Sequence, residues 1–150
     1  MIYNRYLFES SPDFLTFEFT SIGPKGTITK VIRYTEINVY GYYNLGFGDK
    51  DPQSNFISDL TVTNNNDSQK VLATVVRTLY LFTERYPNAV VLATGSTLAR
   101  TRLYRIGITN NLEDIEQDFV ILGLTDSKWE PFRKNVTYHS FAIRRKIVNL

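Results

Sequence analysis

The chain contains no cysteine. That excludes disulfide scaffolds, thiolate zinc sites and cysteine nucleophiles, and it fits a reducing compartment. Histidine occurs once, as His139. One imidazole, with no serine or acid placed by spacing to make a triad with it, is poor evidence for a metal site or a catalytic triad. We read His139 as structural and expect no metal. Charge of one sign is also scarce: the formal net charge is +2 over 150 residues. A large phosphate footprint needs more, so nucleic acid is not favoured as a partner. No run approaches the ~20 apolar residues that span a bilayer. MIYNRYLFESS lacks the apolar core and cleavage site of a secretory signal. The expectation is a soluble cytoplasmic protein without a membrane partner.

Hydrophobic residues make up 43% of the chain and charged residues 21%. Such a composition folds. With no repeat, low-complexity tract or linker, residues 1–150 read as a single domain. The first half reads as strands. Tyr3–Glu9 is short and aromatic. In FLTFEFT, residues 14–20, Leu15, Phe17 and Phe19 alternate with Thr16, Glu18 and Thr20. GPKG is a turn. TITKVIRYTEINVY, residues 27–40, breaks strict alternation, which predicts a bulge or bend. GFGDKDPQSN, residues 46–55, reads as a loop. ISDLTVT, residues 57–63, reads as a further strand.

The period then changes. Across residues 64–87, Val71, Val75, Leu79, Phe82 and Tyr86 recur at helical spacing, with Asp67 or Asn66 to cap the start and Pro87 to end the helix. AVVLAT, residues 89–94, and DFVILGL, residues 118–124, are unbroken apolar runs, the pattern of strands covered on both faces. Between them, residues 98–108 read as a second helix with Ala99, Leu103 and Ile106 toward the core, and residues 110–117 as one capped turn. VTYHSFAIRRK, residues 136–146, reads as the last strand. The fold class is α+β: a mostly antiparallel twisted sheet with two main helices, strands first and then β-α-β-α-β-β.

The densest candidate site is GSTLARTRLYR, residues 95–105. A helix that starts straight after a buried strand turns free N–H groups and its positive dipole end outward. Ser96 and Thr97 add hydroxyls. Arg100, Arg102 and Arg105 add planar donors suited to phosphate or carboxylate, with Tyr104 on the flank. The competing reading is an ordinary cap with the arginines paired to Glu113, Asp114, Glu116 or Asp118. NNNDSQK offers a secondary candidate at Asn66 and Lys70, but it has no glycine and Asp67 would repel an anion. GFGDKD lacks the remaining ligands of a calcium loop. Tyr34, Tyr40, Tyr42, Tyr43 and Phe47 crowd a short span and suggest a partner surface or groove wall.

Together, GPKG, NLGFGD, NNNDSQKVLATV and GSTLARTRLYR resemble an uncharacterised family of small Bacteroidota proteins. That resemblance implies a bacterial source and brings no activity. The order strand, long helix, buried strand, helix containing Leu103-Tyr104, then two strands resembles the core of the GNAT acetyltransferases. That resemblance implies acetyl-CoA as cofactor and Tyr104 as the acid that protonates the leaving thiolate. It also needs a gap between the strands at residues 57–63 and 89–94, and a base such as Glu36 or Asp59. The family's glycine-rich pyrophosphate loop is replaced here by NNNDSQK, and Gly107 stands one residue out of register. Two functions follow from different classes. One is a small binding or regulatory domain for an anionic ligand or protein partner at residues 95–105, with no cofactor. The other is a GNAT-like acyltransferase, or a nucleic-acid-associated protein.

Overall fold

The computed structural model describes residues 4–51, 53, 63–95 and 97–147. Its elements are β1 (Glu9–Ser10), β2 (Thr16–Gly23), β3 (Gly26–Glu36), β4 (Tyr42–Asp49), α1 (Ser68–Arg85), β5 (Val90–Ala93), α2 (Leu98–Asp118), β6 (Phe119–Leu124), β7 (Trp129–Pro131) and β8 (Ser140–Arg145). They form one eight-stranded sheet in the order β1-β2-β3-β4-β5-β8-β6-β7. Among the described residues the only parallel neighbours in it are β4 and β5. The class is therefore α+β, as expected.

Strands β2, β3 and β4 form a meander because Gly26 and Gly41 supply positive φ at its two turns (92° and 84°). Beyond the meander, parallel pairing requires crossovers, and the helices provide them. α1 carries the chain from β4 to β5; α2 carries it from β5, over β8, to β6. Both shifts run the same way across the sheet, so right-handed crossovers put both helices on one face. That face holds the core: Phe17, Ile32, Tyr34, Phe82, Val91 and Phe141 are essentially buried. Tyr34 stacks on Phe82 at 4.1 Å between centroids.

Several sequence expectations change. Residues 46–49 are strand, not loop: Gly46 and Gly48 pair with Arg33 and Val31 across β3. Glycine there lies on the sheet face away from the helices. β3 pairs residue for residue with both neighbours, so it has no bulge. Its broken alternation has another cause. Lys30 is turned inward with the core residues, and Val31 is buried on the other face. Of the early strand, residues 4–8 are irregular and only Glu9–Ser10 pairs. The strand expected at 57–63 lies outside the described residues except for Thr63, which belongs to no strand. β7 was not anticipated at all.

α2 is 21 residues long and absorbs the turn expected at 110–117. Its buried positions are Thr101, Tyr104, Gly107, Ile108, Asn111 and Ile115, not Ala99, Leu103 and Ile106. This stripe has helical spacing, but Thr101 and Asn111 conceal it from a hydrophobic count. Asn111 satisfies itself by donating to the Gly107 carbonyl at 2.8 Å.

Lys30 is 1% exposed, and its ammonium is paired with Asp49. It also donates to the Thr63 carbonyl (2.8 Å), while the Thr63 N–H donates to the other Asp49 oxygen (3.1 Å). The pair thus ties the chain entering α1 to the middle of β3 and the end of β4. Removing one member leaves a buried charge uncompensated. Asp49→Asn should lower unfolding free energy by about 3–5 kcal/mol. The double change Lys30→Met with Asp49→Leu should recover most of that, with both read from urea midpoints.

Candidate functional site

β4 and β5 stay paired for only three residues: Tyr42 with Val90, Tyr43 with Val91 and Asn44 with Leu92. β4 then runs on to Asp49, while β5 ends at Ala93 and the chain turns into α2. The turn is tight. A Cβ on Gly95 would sit 2.4 Å from both the Arg100 Cβ and the Thr101 N, so no side chain fits there. The Gly95 N–H donates to the Thr101 hydroxyl at 3.1 Å, which fastens the turn to the helix. From Leu45 onward β4 has no partner in β5, which ends at Ala93; the space beside this unpaired stretch is the wedge.

Tyr104 stands in this wedge. Its hydroxyl donates to the Leu45 carbonyl at 3.1 Å, the first carbonyl past the last strand pair. Burial pushes its phenol up to about 12, partly offset by the nearby Arg100 charge. The hydroxyl is therefore protonated at neutral pH. Beside it lies a cavity of about 40 Å³ with an almost wholly apolar wall, including Leu45, Leu72, Ala93, Tyr104, Gly107 and Ile108. On the other side of Leu72 a second cavity of about 90 Å³ is bounded by Lys30, Phe47, Thr63, Asp67, Ser68 and Leu103. The start of α1 and the second turn of α2 thus meet at the mouth of the wedge. Neither helix has an acidic residue in its first turn.

The residues singled out from sequence fall into three groups. Thr97 is the N-cap of α2, and its side chain accepts from the Arg100 N–H at 3.2 Å. Arg100 and Arg105 are half-buried and Arg102 is exposed. Among the described residues neither Arg102 nor Arg105 makes an ion pair. Tyr104 is on the inner side of the helix, apart from these surface groups, rather than on its flank. Ser96 lies outside the described residues.

At α1 the expected capping is only positional. Asp67 occupies the N-cap without a side-chain cap bond. Its carboxylate instead accepts from the Tyr6 hydroxyl (2.6 Å) and the Ser21 hydroxyl (2.5 Å). Asn66 takes positive φ, 61°, and Lys70 sits 4.2 Å over the Tyr6 ring. Asn66 and Lys70 border a broad open groove with Asn4, Asn64 and Gln69. The wedge residues that sequence reasoning missed are Leu45, Lys30 and Asp49, whereas Phe47 was among the aromatics read as a groove wall. Glycines 46 and 48 had assigned their segment to a loop. The neighbours of β5 are β4 and β8; the segment 57–63, which the acetyltransferase resemblance set across a gap from it, lies outside the described residues but for Thr63.

His139 contacts the exposed Asp126 across the turn after β6. Among the described residues no cluster of three or more His, Asp or Glu side chains is placed to hold a metal ion. No helix among them is long and apolar enough to cross a membrane.

The model of a family of unknown function (DUF6934) matches residues 2–146, so the chain belongs to that family. No curated protein and no solved structure matches it.

Tyr104 makes a testable contribution at high pH. A phenol whose folded pKa is raised adds stability that is complete below its unfolded value, near 10, and is lost as pH rises through about 12. Wild-type stability should fall over that interval, and Tyr104→Phe should fall less steeply. At pH 7 the same variant should lose about 1–3 kcal/mol, because the Leu45 carbonyl is left without its donor. Denaturant melts from pH 7 to 11.5 measure both effects.

Proposed function

We propose that this member of a family of unknown function (DUF6934) is a ligand-binding domain whose ligand enters the wedge between β4 and β5, with its anionic end at the start of α2. The observation that carries this reading is the end of the sheet's parallel pairing after three residues, which leaves Leu45–Asp49 of β4 without a partner in β5. Open sheets bind ligands beyond the carboxyl ends of parallel strands, where helix N-termini converge. Here the unpaired stretch Leu45–Asp49, the start of α1 and the second turn of α2 meet at one place, around Phe47, Ser68 and Leu103. Arg102, exposed and without an ion pair among the described residues, stands next to Leu103 at that mouth. Its planar fork suits a phosphate or carboxylate. The apolar wall around Tyr104 suits an uncharged portion of the same ligand.

A GNAT-like acyltransferase is the second reading. The run β4-α1-β5-α2-β6, with strands parting beside a protonated tyrosine, favours it. The start of α1 argues against it. Where that cofactor's pyrophosphate would lie, the chain has no glycine, and it places the Asp67 carboxylate there. Those residues do not fit a pyrophosphate, and a shared core does not carry a reaction. No transfer step is derived.

A thermal-shift screen separates these readings. Probes are inorganic phosphate, nucleotides, sugar phosphates, acetyl-CoA and short DNA and RNA. A probe at a hundred times its Kd stabilises by about 2.7 kcal/mol, roughly 5–10 °C for a chain of this length. We expect a small phosphate or carboxylate compound to give such a shift and Arg102→Ala to abolish it. A shift with acetyl-CoA alone selects the acyltransferase reading. No shift with any probe overturns the site.

A further inference from the structure

We infer that the sheet face turned away from the helices is the contact surface of a homodimer, in which two copies pack these faces together about a two-fold axis. The inference begins with a mismatch. The runs in β5 and β6 are apolar at every position, the pattern of strands covered on both sides. Both helices lie on one side only. In β5, Val91 and Ala93 are buried, while Val90 and Leu92 are half-exposed. In β6, Phe119, Ile121 and Gly123 are buried, while Val120, Leu122 and Leu124 are half-exposed. None of those five half-exposed residues joins the hydrophobic core or packs against it.

Pairing arranges them into one surface. Leu92, Ala142, Leu122 and Pro131 form a row across four strands. Val90 and Val120 flank it on one side; Leu124 and Trp129, the latter 42% exposed, flank it on the other. The same face of β2 and β3 is different. It carries Thr16, Glu18, Thr20, Thr27, Thr29, Arg33 and Thr35 and is mostly polar, with the buried Val31 and the exposed Ile22 as its apolar positions. The apolar character is therefore concentrated in the β5-β8-β6-β7 half.

The occupant follows from shape and charge. The patch is a flat pleated surface, and identical sheet faces pack well at about 10 Å. Four strands by three rows cover on the order of 400 Å² at ordinary strand spacings. Two such faces bury roughly 800 Å². The adjoining Tyr42 and the exposed β3–β4 tip, with Tyr40 at 94% exposure, bring this toward the ~1,000 Å² of a weak specific interface. The patch's one charge is Arg144, at one end, so no strongly charged partner is called for. Asp126, exposed, lies at the other end, in the turn after β6. A two-fold axis through the central row reverses one copy over the other. Each Arg144 then moves toward the other copy's Asp126, and the arrangement is closed and self-complementary.

The test is sedimentation velocity between about 1 and 300 µM, a range set by so small an interface. The weight-average mass should rise from 17.3 kDa toward twice that value. Leu122→Arg, at the patch centre, should hold it at the monomer with an unchanged circular dichroism spectrum. Since the chain has no cysteine, Ala142→Cys installs a single thiol near the axis, and a short bismaleimide, which spans the ~10 Å between packed sheets where a direct disulfide does not reach, should give a covalent dimer. A wild-type chain that stays monomeric throughout overturns the proposal and leaves the face to a different molecule. A Leu122→Arg chain that still dimerises also overturns it. Should Leu122→Arg fail to fold, the Ala142→Cys result decides: no cross-linked dimer means no such interface.

Discussion

The parting of β4 from β5 after three residue pairs governs the rest of the molecule. Parallel neighbours need a crossover, and α1 provides it on one face. The Gly95 turn then pulls the chain out of the sheet and starts α2 against the same face. Past the last pair, the Leu45 carbonyl has no partner residue in β5. Tyr104 supplies one from the helix, and its hydroxyl becomes the bridge across the gap. Lys30 and Asp49 do the equivalent work further along β4, where Thr63 replaces the missing strand. Each of these polar groups is buried because the sheet opens, and each is satisfied by a neighbour on a different element.

That geometry explains why a ligand reading and a structural reading share residues. Two cavities flank Leu72, both small and both reaching the unpaired part of β4. Arg102 and Arg105 remain outside the ion pairs of the described residues, although acids follow them closely in sequence. Helical geometry accounts for the separation. Glu113 and Glu116 lie at least two turns further along α2, and Asp118 accepts from Tyr80 of α1 at 2.7 Å. A ligand at the α2 start would not have to break an existing Arg102 or Arg105 bridge.

Much of the fold was legible in the sequence. The alternation of Phe17 and Phe19 with Thr16, Glu18 and Thr20 gave β2 its inward face. The stripe Val71, Val75, Leu79, Phe82 located α1. The apolar runs located β5 and β6. What stayed hidden had physical causes. Gly46 and Gly48 read as loop residues because glycine is uncommon inside strands, yet here they occupy the face without helices. α2 packs through Thr101, Tyr104 and Asn111, so its buried stripe carries few apolar residues, and its continuation to Asp118 looked like a separate turn. Asp67 looked like a cap, but Tyr6 and Ser21, from distant segments, claim its carboxylate. Of the candidate site, the arginines and Thr97 were visible. The strand opposite them was not, because a long-range pairing leaves no local pattern. The two-sided apolarity of β5 and β6 predicts cover on both faces, whereas the described residues bury one face and leave Val90, Leu92, Val120, Leu122 and Leu124 of the other partly exposed.

The central claim is that the β4–β5 wedge and the α2 start form one ligand site. Backbone amide chemical shifts, followed while inorganic phosphate and then a nucleotide are titrated into the protein, test it most directly. The account predicts that the largest changes fall together on Leu45–Asp49 and Thr97–Arg105, with Tyr104→Phe altering the first group and Arg102→Ala the second. Changes confined to the face of β6 and β8 turned away from the helices, or no saturable change at all, would contradict it.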